Sequence, residues 1–263
     1  MEATVKIADN TYRMESDDEY LRAAGADFEP EMIALFRHFA KGTVLDVGAN
    51  IGFTALAFAQ MADVVHCFEP SPSTFRFLTG NTAGQHKLCL HQFGLGDAPG
   101  KFELTFSPFT RAGGFVSNQT QACEGHIHEE IEVRRLDDVA TSLDLAGLDF
   151  VKIDVEGFES HVLRGGIRTI HRYKPVVVLE LNHWCLNAFQ RTSVPEFLDY
   201  LRGIFPKLYA VQGGTYLNLH EPNDSYKVMY YHILQMKYAT IVCAFDDDQV
   251  AGFRAAYEYR VAD

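Results

Sequence analysis

Four short constellations in the chain combine residue types that can hold a cofactor or move a proton. Leu45-Asp46-Val47-Gly48-Ala49-Asn50-Ile51-Gly52 leaves a predicted strand and enters a predicted helix. Glycines let a backbone come close to a ligand, and a helix start offers free N–H groups. The run is not the dinucleotide fingerprint G-x-G-x-x-G, because Asn50 stands where the second glycine belongs. Asp46, just before the loop, would repel a phosphate, so a ligand with an ammonium or sulfonium group fits better. Glu69, in Cys67-Phe68-Glu69-Pro70-Ser71-Pro72, stands 23 residues after Asp46. An acid there either accepts both hydroxyls of a ribose or is a plain solvated strand-end acid. In Val151-Lys152-Ile153-Asp154-Val155-Glu156-Gly157-Phe158-Glu159, Asp154 and Glu156 end a predicted strand, where open α/β sheets place their ligands. Lys152 and Asp154 alternate and so share a side. They either pair structurally or serve a ligand, since unpaired charge is costly to bury. Glu180-Leu181-Asn182-His183 closes another apolar strand. Its carboxylate and imidazole suit a general base or metal ligation, with helix capping by Asn182 as the simpler alternative.

The elements that must position these residues alternate short apolar runs with helical segments, which implies a parallel sheet flanked by helices. Strands are predicted over 43–47, 63–68, 88–93, 150–154 and 175–181. Helices are predicted from Pro30 to Ala40, Phe53 to Met61, Ser73 to Thr79 and Glu159 to His171. Beyond them come a helix over 195–203 and strands over 207–211, 216–219 and 240–245. Residues 100–133 read as an insertion over the sheet edge, with β-type runs around a Gly/Ser/Asn-rich middle at 112–118. Residues 226–238, rich in Tyr, Met and His, resist assignment. No linker divides the chain. The expected organisation is an N-terminal helical cap over 1–40 and one domain over 41–263 carrying the insertion.

Composition narrows the partners. At 263 residues the chain is long enough for one to two domains, and 47% hydrophobic with 22% charged residues is a globular mixture. That excludes a disordered, collagenous or coiled-coil chain. A net charge of -12 argues against nucleic acid or an anionic membrane surface as the main partner. No secretory signal is visible at the start, and no apolar run is long enough to span a bilayer. The most apolar run, Val176 to Leu179, ends at Glu180. Five dispersed cysteines without a C-x-x-C pair suit a reducing cytoplasm better than a disulfide or zinc scaffold. His126 and His128 form an H-x-H that lacks a nearby third ligand.

Taken together, LDVGANIG, FEPSP, RRLDD (134–138), FVKIDVEGFESHVLRGG and KPVVVLELNH resemble the FkbM-type methyltransferases, a branch of the S-adenosylmethionine-dependent methyltransferases. The resemblance covers about Lys41 to His183, and its KIDVEG block is the most specific part. It implies a Rossmann-like class I α/β fold: a seven-stranded, mostly parallel sheet with helices on both faces and the last strand antiparallel. It also implies that Asp46, Gly48, Asn50 and Gly52 line the methionine part of the cofactor and that Glu69 binds the ribose. Phe53 and Pro70 would be further cofactor contacts. Asp97, in Gly94-Leu95-Gly96-Asp97, would meet the adenine edge, and Asp154 would sit beside the transferable methyl.

The activity this implies is methyl transfer from S-adenosylmethionine to a hydroxyl oxygen of a small molecule or glycan. His183, Asp154 and Glu180 are the candidate bases. Asp154, Glu180 and Asn182 resemble the ligand set of magnesium-dependent catechol-type methyltransferases, so Mg2+ is a candidate second cofactor. The rivals are a nucleotide-dependent oxidoreductase, which would bind NAD instead, and a non-catalytic cofactor-binding protein. Trp184 either stacks on a sugar face or simply packs. The insertion and residues 226–238 are expected to shape the acceptor pocket.

Overall fold

The structure, a computed structural model, describes residues 1–117, 125–143 and 145–262; Asn118, at the end of the expected Gly/Ser/Asn-rich stretch, and Cys123 lie outside the described residues. The chain opens with an antiparallel hairpin, β1 (Glu2–Ile7) and β2 (Asn10–Glu15). This corrects the expected helical cap over 1–40. Val5 and Ile7 are buried between exposed neighbours, the period of a half-buried strand. The helices α1 (Tyr20–Ala23) and α2 (Pro30–Phe36) follow, the second opened by Pro30.

Next come β3 (Thr43–Val47), α3 (Phe53–Ala59), β4 (Val64–Phe68), α4 (Pro72–Asn81) and β5 (Leu88–His91), in the predicted order. Ser71 caps α4 by accepting from the Thr74 N–H at 3.1 Å, with Pro72 as its first residue. The insertion is a sheet of its own. It contains β6 (Gly94–Leu95), β7 (Gly100–Ser107), β8 (Thr110–Val116) and β9 (Ile127–Arg134), in the order β6-β9-β7-β8. After α5 (Leu136–Val139) and β10 (Phe150–Ile153), the single helix predicted over 159–171 is two, α6 (Glu159–Gly165) and α7 (Ile167–Tyr173), broken at Gly166. β11 (Val176–Glu180), α8 (His183–Gln190) and α9 (Val194–Ile204) lead to the hairpin β12 (Lys207–Gln212) and β13 (Thr215–Asn218). The unassigned stretch proves to be most of α10 (Pro222–Gln235), followed by β14 (Thr240–Ala244), α11 (Asp247–Ala256) and β15 (Glu258–Tyr259).

Among the described residues the main sheet has nine strands, in the order β15-β13-β12-β14-β11-β10-β3-β4-β5. The five from β11 to β5 run parallel, and β14 lies antiparallel between β11 and β12. This is the expected Rossmann-like, doubly wound sheet, with β13 and β15 extending it from seven strands to nine. Successive residues face opposite layers: Val44 and Phe150 pack with Phe36, Phe58 and Phe253, whereas Leu45 and Val151 pack with Leu163, Leu198 and Leu201. Truncating a side chain as enclosed as Phe58 would cost about 3–5 kcal/mol. Winding reverses between β3 and β10, and that switch point is where a doubly wound sheet opens a crevice at its strand ends. No helix of the described residues is long and apolar enough to cross a membrane.

Candidate active site

The glycine loop leaves β3 at the switch point and folds against the end of β10. Gly48 has φ +81, and a Cβ there would stand 2.0 Å from the Asp154 carbonyl oxygen. Only glycine allows that approach. Asp46 lies beneath the loop, fully buried, accepting from Thr54 Oγ1 at 2.7 Å. Lys152, its cross-strand neighbour, places Nζ 3.4 Å from Asp46, 3.5 Å from Asp154 and 2.8 Å from the Gly48 carbonyl it donates to. Burial pushes Asp46 up while Lys152 pulls it down. Removing the ammonium would leave Asp46 buried without its counter-charge, a loss of about 3–5 kcal/mol. The structural ion pair is therefore real, and it holds the loop.

Two cavities meet over this loop. Gly48, Asn50, Ala112, Asp154 and Glu156 line both. The first, about 90 Å³, runs between Glu69, Pro70 and the inner face of the small sheet, formed by Leu104, Phe106, Ile131 and Val133. Glu69 is tied at both oxygens: Oε2 accepts from the Asn50 N–H at 3.1 Å and Oε1 from the Ser71 N–H at 2.9 Å. Burial still pushes it up to about 7. The second cavity, about 290 Å³, is walled by Tyr20, Glu29, Phe53, Lys152 and Glu180.

Asp154 and Glu156 at the junction and Glu180 on the second cavity's side each offer an oxygen within 4.8 Å of the others. Glu156 sits at φ 52, a left-handed conformation that side chains disfavour and that recurs at functional sites. It accepts from Cys185 Sγ at 3.1 Å, and burial followed by Asp154 pushes it up to about 7. Glu180 is pushed well above the carboxylate range by burial and the neighbouring acids. Its Oε2 is buried and accepts no hydrogen bond. Glu159, behind them, ties the strand end by accepting from the Val155 and Gly157 N–H groups at 3.1 and 3.2 Å.

Of the expected residues, Gly48, Asn50, Phe53, Glu69, Pro70, Asp154 and Glu180 line the cavities. Asp46 acts from below, and Gly52 starts α3 as its left-handed cap. Asp97, expected at the adenine edge, lines neither cavity. It is held instead by His161 at 2.8 Å and Arg164 at 3.9 Å. His183 also lines neither, and its N–H donates to His232 Nε2 at 3.2 Å. Asn182 takes the capping role, its Oδ1 accepting from the Cys185 N–H at 3.2 Å. Trp184 is exposed and packs edge-on against Phe189. His128 of the H-x-H is paired with Glu103. Sequence reasoning missed Tyr20 and Glu29 altogether. Their only local signal was Pro30, which marks a helix start and nothing more.

A doubly wound sheet with an acidic glycine loop at its switch point and an acid after the next strand defines a Rossmann-like α/β domain with its crevice at the strand ends. The particular family follows from comparison: residues 46–207 match the methyltransferase FkbM domain, and the chain belongs to that family. It is 28% identical over 143 residues to the 2-O-methyltransferase NoeI of Sinorhizobium fredii, covering 48% of this chain and 58% of that one. It is 32% identical over 153 residues to the 31-O-demethyl-FK506 methyltransferase FkbM of Streptomyces tacrolimicus, covering 46% and 58%. The hexuronic acid methyltransferase AglP of Haloferax volcanii is 28% identical over 170 residues, covering 64% and 68%. The chain thus spans under three fifths of the length of the first two relatives. The crystal structure of a methyltransferase FkbM from Methylobacillus flagellatus superposes with a TM-score of 0.44 at 20% identity, covering 64% of this chain and 39% of that one. The family match leaves the oxidoreductase reading without support.

Proposed function

We propose that the chain transfers the methyl group of S-adenosylmethionine to a hydroxyl oxygen of a small molecule or glycan. The observation that carries this is the junction of the two cavities at Gly48, Asn50, Asp154 and Glu156. One lobe offers a ribose-type acid and an apolar slot, and the other offers acidic walls. Asn50 Oδ1, buried at that junction, accepts no hydrogen bond from the protein, which fits a ligand bringing a cationic donor. The names of the relatives, which specify 2-O- and 31-O- positions and a hexuronic acid, support a hydroxyl acceptor.

When bound, S-adenosylmethionine supplies an electrophilic methyl, so the protein has to align the acceptor and remove its proton. Glu69 holds the ribose hydroxyls, and the slot formed by Leu104, Phe106, Ile131 and Val133 takes the base. Asp154 stands at the meeting point. Glu156 takes the hydroxyl proton on its carboxylate, because it lines both cavities and burial followed by Asp154 pushes it up to about 7, close to neutral pH. His183 lines neither cavity, which supports Glu156 over it as the base. Incubation with methyl-labelled cofactor and a panel of sugars and small alcohols tests the reading: label appears in an ether product, and its absence from every member counts against it.

A second reading adds a divalent cation. Asp154, Glu156 and Glu180 form an all-oxygen set suited to Mg2+, and the unpaired Glu180 oxygen favours it. Glu156 takes the place expected for Asn182. A hard cation there would acidify the acceptor hydroxyl. Full activity after chelation excludes it. A reducing cytoplasm fits the free Cys67, Cys89, Cys185 and Cys243.

A further inference from the structure

The second cavity is closed by a stretch of chain outside residues 46–207, the part shared with the family. Tyr20, Phe28, Glu29, Met32 and Phe36 line it, facing a floor that includes Asp154 and Glu180. The wall is clipped to the start of α3: Phe28 stacks on Phe53 at 4.5 Å and 8°, and Tyr20 meets the same ring edge-on at 5.7 Å. Glu29, the residue before Pro30, is left-handed at φ 37 and ψ 61. A side chain seldom adopts that conformation, and here it puts an acid on the rim of the cavity.

We propose that Tyr20 and Glu29 select the methyl acceptor, and that they select a hydroxyl compound carrying no anionic group, either neutral or amine-bearing. This rests on the methyltransferase reading. The excess of acidic over basic side chains in the cavity carries it. Glu29, Asp154, Glu156 and Glu180 all line the space. Among the described lining residues Lys152 is the one permanent cation, and it is already shared by Asp46, Asp154 and the Gly48 carbonyl. An acceptor carboxylate or phosphate would therefore find no free counter-charge. Burial and Asp154 push Glu29 upward, the response of a site that resists further negative charge. Glu29 also stands apart from the three acids that could hold a cation, so a cation there would not take it as a ligand. Tyr20, beside these acids, supplies the neutral polar contact. Its phenol is pushed up by burial and then by Asp154, so it stays protonated and keeps its O–H.

Three matched acceptors test this: a methyl glucoside, its 2-amino analogue and its uronate, each offered with labelled cofactor to the wild type, Glu29→Gln and Tyr20→Phe. S-adenosylhomocysteine affinity is measured in parallel. The wild type should favour the neutral and amine-bearing acceptors over the uronate by about ten-fold or more in kcat/KM. Glu29→Gln should shrink that ratio by about ten-fold, through KM rather than kcat. Tyr20→Phe should raise KM for the neutral acceptor several-fold while moving S-adenosylhomocysteine affinity less. A preference for the uronate, a ratio unchanged in Glu29→Gln, or bound S-adenosylhomocysteine with transfer to none of the three overturns the proposal. Failure of the wild type to bind S-adenosylhomocysteine overturns the methyltransferase reading instead.

Discussion

The first cavity faces the small sheet with Leu104, Phe106, Ile131 and Val133, and the carboxylate in its depth, Glu69, is tied to two backbone N–H groups. The second faces the N-terminal segment and carries Glu29, Asp154, Glu156 and Glu180 around a lysine committed elsewhere. The first is built within residues 46–207; the second borrows Tyr20 to Phe36, Ala239 and Thr240 from outside that span. The contrast separates two tasks. A tied carboxylate in an apolar slot suits one unchanging ligand, and a wall from elsewhere in the chain suits choice of its partner.

The contrast breaks most completely at the backbone both cavities share. Gly48→Ala drives a Cβ into the Asp154 carbonyl and should abolish cofactor binding and remove more than about 4 kcal/mol of stability. Near-normal calorimetry and thermal unfolding would mean the loop is less constrained than its contacts require. The next largest effect is on chemistry. Glu156→Gln should lower kcat by about 10²–10⁴. Because a base acts when deprotonated, wild-type kcat/KM should rise as pH rises through about 7, and the variant should lose that limb. A flat wild-type profile there removes Glu156 as the base.

A comparable effect lies in stability. Glu159 is pushed up to about 8 by burial, so the native state binds its proton more tightly than the unfolded chain does. Stability from this group is greatest below the unfolded value near 4.5 and falls as pH rises through about 8. Glu159→Gln should therefore gain about 4 kcal/mol at pH 8.5 relative to its effect at pH 4.5, read by urea unfolding. The same difference at both pH values would refute the assignment. Smallest of all is Tyr230→Ser on α10. Tyr230 is half exposed and α10 lines neither cavity, so stability should stay within about 0.5 kcal/mol and acceptor KM should not move.

Legibility followed the range of the interactions. β3 was readable to the residue because Thr43–Val47 is a short apolar run stopped by a glycine turn. The strand-end acids were readable because α/β sheets concentrate ligands there. The hairpin β1–β2 was hidden although Val5 and Ile7 alternate with polar residues, since a two-stranded ribbon depends on packing against α3 and α4. The pairing of Asp97 with His161 was not legible because the two lie 64 residues apart, and spacing cannot show which way a carboxylate turns. Tyr20 and Glu29 were invisible for the same reason. Glu156 stood in the motif, yet its burial and left-handed backbone exist only in the fold.

The central claim is that Glu69 and the slot beside it hold the nucleoside of S-adenosylmethionine. Titration calorimetry of S-adenosylhomocysteine into the wild type and Glu69→Ala tests it most directly. Binding by the wild type, weakened about 10–100-fold in the variant with the fold intact by circular dichroism, is the predicted result. No binding by the wild type, or equal binding by both, would contradict it.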